Sequence, residues 1–161
     1  MKLLEITSDR FPDWLQLRQK LFSDLDRDHH REEMDLIHSS PEATAFLGTT
    51  EEGEPVGLME VSLRNFVDGC LGGPVGYVEA LYLEPPYRGK GEGRNMIDFA
   101  ADWFRARGCR DMAADADLEN VLAQKFFSYI GFSETFRIVQ FKRTLENVDV
   151  TRSTNEYEDI G

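Results

Sequence analysis

The residues best suited to chemistry cluster in Arg88-Gly89-Lys90-Gly91-Glu92-Gly93, directly after the stop formed by Pro85-Pro86 and at the opening of a long apolar-periodic segment. Glycines at a strand-to-helix junction let the backbone approach a ligand, and the unpaired N–H groups of a helix start make an anion site suited to a pyrophosphate. The spelling excludes two well-defined anion loops. A Walker loop ends in Gly-Lys-Ser/Thr, and the dinucleotide fingerprint requires a third glycine where Arg94 stands. A tight turn with no ligand is the alternative reading of the glycines alone. Two carboxylates lie near this loop in the predicted order of elements. Glu79 interrupts an otherwise apolar strand and, by the period of two, shares a face with Leu81 and Leu83. It reads either as a proton acceptor or as a surface or cross-strand glutamate. Asp115 ends the next strand, where it is a candidate cap for the helix that follows, a role that Asp117 fits better.

Other reactive side chains point to less. Asp115-Ala116-Asp117-Leu118-Glu119-Asn120 lacks the glycine and terminal glutamate of a calcium loop. His29, His30 and His38 stand in polar surroundings without ligand spacing and read as solvated, so no metal is expected. Cys70 reads as a small loop residue rather than a nucleophile. Two cysteines, Cys70 and Cys109, are too few for a disulfide framework and fit a reducing compartment.

The chain has 161 residues, 41% hydrophobic and 30% charged, with 11 phenylalanines, which is enough for one self-sufficient core and too little for two. Its net charge of −12 repels phosphate backbones and anionic lipid, so nucleic-acid and membrane-surface roles are disfavoured. No stretch approaches the ~20 apolar residues of a membrane span, and the N-terminus does not resemble a signal peptide. A cytoplasmic, unprocessed protein is the expectation.

The elements that must position these groups follow from periodicity. Strands are predicted at 4–7, 43–49, 55–64, 75–83, 111–115 and 133–143. Helices are predicted at 11–22, 31–38, 94–107 and 119–129. Residues 65–74 form a Gly-rich loop, and Asp24, Asp26 and Asp28 a solvated turn or part of an acidic rim. The order is mixed α/β with a central, mostly antiparallel sheet, unlike the alternation of a doubly wound fold. Residues 1–145 form the domain. Residues 146–161 form an acidic tail with five acids against one arginine, so −4 of the net charge sits there and −8 on the rest.

Arg88-x-x-Gly91-x-Gly93, following a strand and Pro-Tyr-Arg, resembles the acetyl-CoA signature of the GNAT N-acetyltransferase superfamily. Asn120-x-x-Ala123-x-x-Phe126-Phe127 with Gly131-Phe132 is similar to its second motif. A narrower resemblance covers roughly residues 10–143. Trp14-Leu15-x-Leu17-Arg18, Ser62-Leu63-Arg64-Asn65-Phe66-Val67-x-Gly69-Cys70, Pro74-Val75-Gly76-Tyr77-Val78-Glu79 and Gly108-Cys109-Arg110-x-Met112-Ala113-x-Asp115 look like the aminoglycoside 6'-N-acetyltransferases of the chromosomal, dimeric type. This implies the GNAT fold, acetyl-CoA as cosubstrate, and direct transfer to a cationic aminoglycoside in a ternary complex.

The resemblance further implies residue roles. Backbone amides of Arg88, Gly89, Lys90, Gly91, Glu92, Gly93 and Arg94 hold the pyrophosphate, aided by the charges of Arg88, Lys90 and Arg94, and Asn120 belongs to the cofactor side. The main chain of Leu81 and Leu83 pairs with pantetheine, and the thioester oxygen sits against an N–H near Leu81. Glu79 is the catalytic carboxylate; Asp115, Phe22, Phe66 and Phe136 border the acceptor. Many GNAT enzymes carry a tyrosine, as acid for the thiolate, where Phe127 stands here. Positions matching Phe22 and Phe136 are often a tryptophan and an acid in the narrower group. A homodimer through 133–143 is also implied. A GNAT enzyme for another polyamine or protein amine, or an acyl-CoA-binding module without catalysis, are the competing readings.

Overall fold

In the computed structural model, which describes residues 1–145, five strands form one sheet in the order β1-β2-β3-β4-β5. They are β1 (Lys2–Glu5), β2 (Ala43–Thr49), β3 (Pro55–Arg64), β4 (Val75–Leu83) and β5 (Met112–Ala114). The first three pairings are antiparallel, and β4 with β5 is parallel. The expected tail at 146–161 lies outside the described residues. Helices α1 (Phe11–Leu21) and α2 (Arg27–Ser39) cover one face of the sheet, and α3 (Glu92–Arg105) and α4 (Val121–Tyr129) the other. Because both faces are covered, β2 and β3 alternate between two cores rather than between core and water. Ala45, Leu47 and Leu58 join Trp14, Leu17 and Met34, whereas Phe46, Met59 and Val61 join Met96, Ala100 and Phe104.

Several element boundaries move for local reasons. Helix α2 begins four residues before its apolar pattern, because the Asp26 carboxylate accepts the His29 N–H (2.8 Å) and caps a polar first turn. The strand expected at 133–143 is not formed: residues 132–145 carry no helix or strand, and Ile138, Val139 and Phe141 are 78–89% exposed. Their composition favours a strand, but a strand requires a ladder partner, and in this structure the segment pairs with none of the five strands.

The α1/α2 core contains a buried polar knot that periodicity did not reveal. Arg18, Glu60 and His30 are each at most 3% exposed. Glu60 Oε1 accepts from Trp14 Nε1 (2.7 Å) and Arg18 Nε (2.6 Å); Arg18 Nη2 also donates to Glu33 (2.7 Å), and Nη1 lies 3.3 Å from His30 Nδ1. Burial opposes the charge on Arg18, but the Glu60 and Glu33 carboxylates outweigh it and raise the guanidinium above its usual range. The expectation of solvated histidines therefore fails for His30, which the polar composition of its helix concealed. His38 also packs, edge-on to Phe11 at 5.0 Å.

Removing one member of a buried ion pair strands the other, so Glu60→Ala should lose about 3–5 kcal/mol in urea denaturation. A loss below about 1 kcal/mol would show that Arg18 is solvated instead.

Candidate active site

Strand β4 has different partners along its length. Gly76, Tyr77 and Val78 pair with Met112, Ala113 and Ala114 of β5, and beyond Val78 the two strands part. From Glu79 to Leu83 the β5 side of β4 is an open edge among the described residues. Glu84 N–H donates to Val56 O on the β3 side (2.8 Å). Since successive N–H groups alternate along a strand, those of Leu81 and Leu83 point to the open edge. Arg88 Nε donates to Leu83 O (2.7 Å), which occupies one acceptor there and brings the Gly-rich turn against the strand end.

That turn opens α3 through Gly91, at φ +88° and ψ −8°, a left-handed conformation suited to glycine. Gly93 lies in the first helical turn, where a Cβ would meet the Phe126 ring at 3.1 Å, so its absence lets α4 pack against α3. The helix start leaves its first N–H groups without intrahelical partners beside exposed Lys90. Arg94 leans to α4, 5.2 Å from the Tyr129 ring, and the Glu92 carboxylate accepts from the Met1 ammonium (3.2 Å). Asn120 turns out to be the cap of α4, its Oδ1 accepting Ala123 N–H (3.1 Å), the role expected of Asp117. Phe127 packs between Phe126 and Phe132 at 5.4 and 5.1 Å.

The placement of Glu79 differs from the period-two expectation. Glu60 pairs with Ala80 and Val61 with Val78, so Glu79 is the extra residue of a β-bulge. The bulge resets the alternation. Leu81 and Leu83 pack with the α3 core, while the Glu79 carboxylate reaches across β3, where Oε1 accepts from Ser62 Oγ (2.5 Å) and Arg64 Nε (3.0 Å) and Oε2 from Arg64 Nη2 (2.8 Å). Arg64 lies 3.4 Å over the Tyr77 ring, and Tyr77 Oη donates to Asp115 (2.6 Å). The structure thus joins Glu79 and Asp115 in one cluster. Ser62, Arg64 and Tyr77 were not singled out from the sequence for any role. The available signal was polar residues at alternate positions of β3, opposite Tyr77 on β4.

The aromatic residues are more dispersed. Phe22 ends α1, 5.2 Å from the Arg18 guanidinium, and Phe66 is 74% exposed on the 65–74 loop. Phe136 is exposed too, but the chain at Thr135 and Phe136 crosses that loop so closely that a Cβ on Gly69 would meet Thr135 Cγ2 at 2.9 Å. Burial pushes the neighbouring Cys70 thiol up, which disfavours a thiolate nucleophile. Among the described residues no group of three His, Cys, Asp or Glu side chains is arranged to hold a metal ion.

The splayed β4/β5 pair, the bulged strand and the Gly-rich helix start all lie within residues 5–132, which match the acetyltransferase (GNAT) family, and the chain belongs to that family. More particularly, it is 35% identical over 138 residues to an aminoglycoside N(6')-acetyltransferase type 1 of Serratia marcescens, covering 85% of this chain and 94% of that one. Among solved structures, the apo aminoglycoside antibiotic 6'-N-acetyltransferase AAC(6')-IG from Acinetobacter haemolyticus superposes with TM-score 0.83 at 29% identity, covering 91% of this chain and all of that one. AAC(6')-Iy, in complex with the bisubstrate analogue CoA-S-monomethyl-acetylneamine, gives 0.82 at 26%, with 89% and 97% covered.

Burial and the Asp115 carboxylate hold the Tyr77 phenol well above its ordinary range. A folded-state value raised above the unfolded one adds stability that is complete below the unfolded value, near pH 10, and lost as the pH rises past it. Tyr77 should ionise only well above the ordinary tyrosine range in an ultraviolet titration, and Tyr77→Phe should flatten the alkaline fall in stability. An unchanged alkaline limb in that variant would contradict this.

Proposed function

We propose that the chain transfers the acetyl group of acetyl-CoA to the 6'-amino group of an aminoglycoside, by direct attack in a ternary complex. The observation that carries this is the junction on β4, where the open edge at Leu81 and Leu83 lies within two residues of a bulged carboxylate. The free N–H groups fit an extended amide-bearing arm such as pantetheine, and the α3 start with Lys90 fits its pyrophosphate. In this reading the backbone amides of 88–94 hold the diphosphate, and the side chains of Arg88 and Arg94 swing from their present contacts or act through charge alone. Asn120 contributes by fixing α4 rather than through its occupied side-chain oxygen.

The chemistry then follows from the residues. The neutral amine attacks the thioester carbon, a C–N bond forms and the C–S bond breaks. The amine proton passes to Glu79, directly or through water, and the oxygen of the tetrahedral species is met by an N–H near Leu81. Phe127 has no proton to give, so the coenzyme leaves as thiolate, which thiols tolerate as leaving groups. Asp115 attracts the remaining ammonium groups, and Phe66, Phe22 and Phe136 offer apolar borders for the sugar rings.

Two further parts of the reading concern assembly. The exposed apolar side chains between 132 and 145 supply a strand in search of a partner, which supports a homodimer formed through this segment, with Phe136 beside the acceptor loop. Residues 1–145 then constitute the catalytic domain, with 146–161 an appendage to it. Among the described residues no helix is long and apolar enough to cross a membrane, and a cytoplasmic location fits the free cysteines.

A thiol-release assay with acetyl-CoA and kanamycin or tobramycin should show turnover, and Glu79→Gln should lower it by roughly 10²–10⁴-fold. Tight acetyl-CoA binding without transfer to either would favour the non-catalytic module that Phe127 makes conceivable, and transfer only to other amines would move the acceptor assignment. Light scattering should give twice the chain mass; a monomer at working concentration would contradict the dimer.

A further inference from the structure

We infer that Arg64 is the positioning residue of the acceptor site, clamping Glu79 so that one lone pair of Oε2 remains to receive the amine proton. This rests on the reading of Glu79 as the proton acceptor. A carboxylate offers about four acceptor sites, two on each oxygen. Among the described residues, Ser62 Oγ and Arg64 Nε fill both sites of Oε1, and Arg64 Nη2 fills one of the two on Oε2. The bulge makes the clamp reachable, since Glu79 without it would share the face of Leu81 and Leu83, away from Ser62 and Arg64.

Arg64 is itself fixed. Its guanidinium lies 3.4 Å over the Tyr77 ring, and the Tyr77 hydroxyl is bonded to Asp115, so the two carboxylates and the cation between them form a single unit across β3, β4 and the residue that follows β5. Partial burial opposes the Arg64 charge, and Glu79, together with Tyr77 and Asp115, more than offsets it. The pair is nevertheless 41% and 34% exposed, and pairs so exposed contribute little to stability. An arginine fork spent where it adds little stability, on the glutamate at which the open edge begins, is better explained by orientation than by folding.

Orientation and charge make opposite predictions for an acceptor that is a polycation. Losing Arg64 lets Glu79 rotate, which lowers kcat, and also removes a positive charge from the acceptor site, which lowers the acceptor KM or leaves it unchanged. A merely structural arginine would lower kcat and raise KM together. We therefore expect Arg64→Met to reduce kcat with tobramycin by roughly 10–100-fold without raising its KM, and with acetyl-CoA affinity and thermal midpoint unchanged. Arg64→Lys keeps the charge without the fork, so it should restore the wild-type KM but not kcat, and it carries the test should the methionine variant fold poorly. In a Glu79→Gln background the same Arg64 substitutions should change kcat by less than about twofold, because the residue acts through Glu79.

An unchanged kcat in both Arg64 variants, or losses that multiply with that of Glu79→Gln, would overturn the inference while leaving the acceptor reading intact. Absence of turnover by the unsubstituted chain with every amine tried would overturn both.

Discussion

One extra residue in β4 governs the geometry of the site. If β4 ran in perfect register with β3, Tyr77, Glu79, Leu81 and Leu83 would share a face, and the carboxylate would sit among the side chains packed under α3. The bulge at Glu79 lets Tyr77 and Glu79 face Ser62 and Arg64 while Leu81 and Leu83 return to the α3 core. It also coincides with the point where β5 leaves, so the unpaired edge and the displaced carboxylate occur on consecutive residues of one strand. The rigidity behind this comes from both faces. Phe104 and Met96 press on one side, and the Trp14, Arg18 and Glu60 knot fixes α1 on the other, two residues along β3 from Ser62.

Charge acts at two scales. The net −12 is a property of the whole chain. Locally, Glu79 and Asp115 outnumber Arg64, leaving a modest negative excess held by Tyr77 and Ser62 rather than spread over solvent. Such a site suits an acceptor with several ammonium groups. It attracts the cation at long range, yet one fixed arginine limits how many positive groups can crowd the reacting carboxylate.

Much of this was legible in the residues. The runs at 43–49, 55–64 and 75–83 gave their strands because each is apolar, flanked by turn residues and stopped by a proline pair or glycines. The Gly-rich turn gave the start of α3 to within two residues. What could not be read depends on partners distant in sequence. Arg18 occupies a core-facing position of α1 that period alone assigns to an apolar side chain, and only Glu60, 42 residues on, makes it tolerable there. The bulge is equally silent, since alternation counts residues and cannot show that one of them lacks a partner. Residues 133–143 have the composition of a strand but pair with none of the five strands, so composition predicted an element that the ladder does not form.

All of this converges on the junction at Glu79. The most direct test is a crystal structure of the chain with CoA and tobramycin. The account predicts pantetheine along the Leu81 and Leu83 edge and the 6'-nitrogen within hydrogen-bonding reach of Glu79 or of a water that it holds. Pantetheine away from that edge, or an amine bound with Glu79 turned from it, would contradict the account.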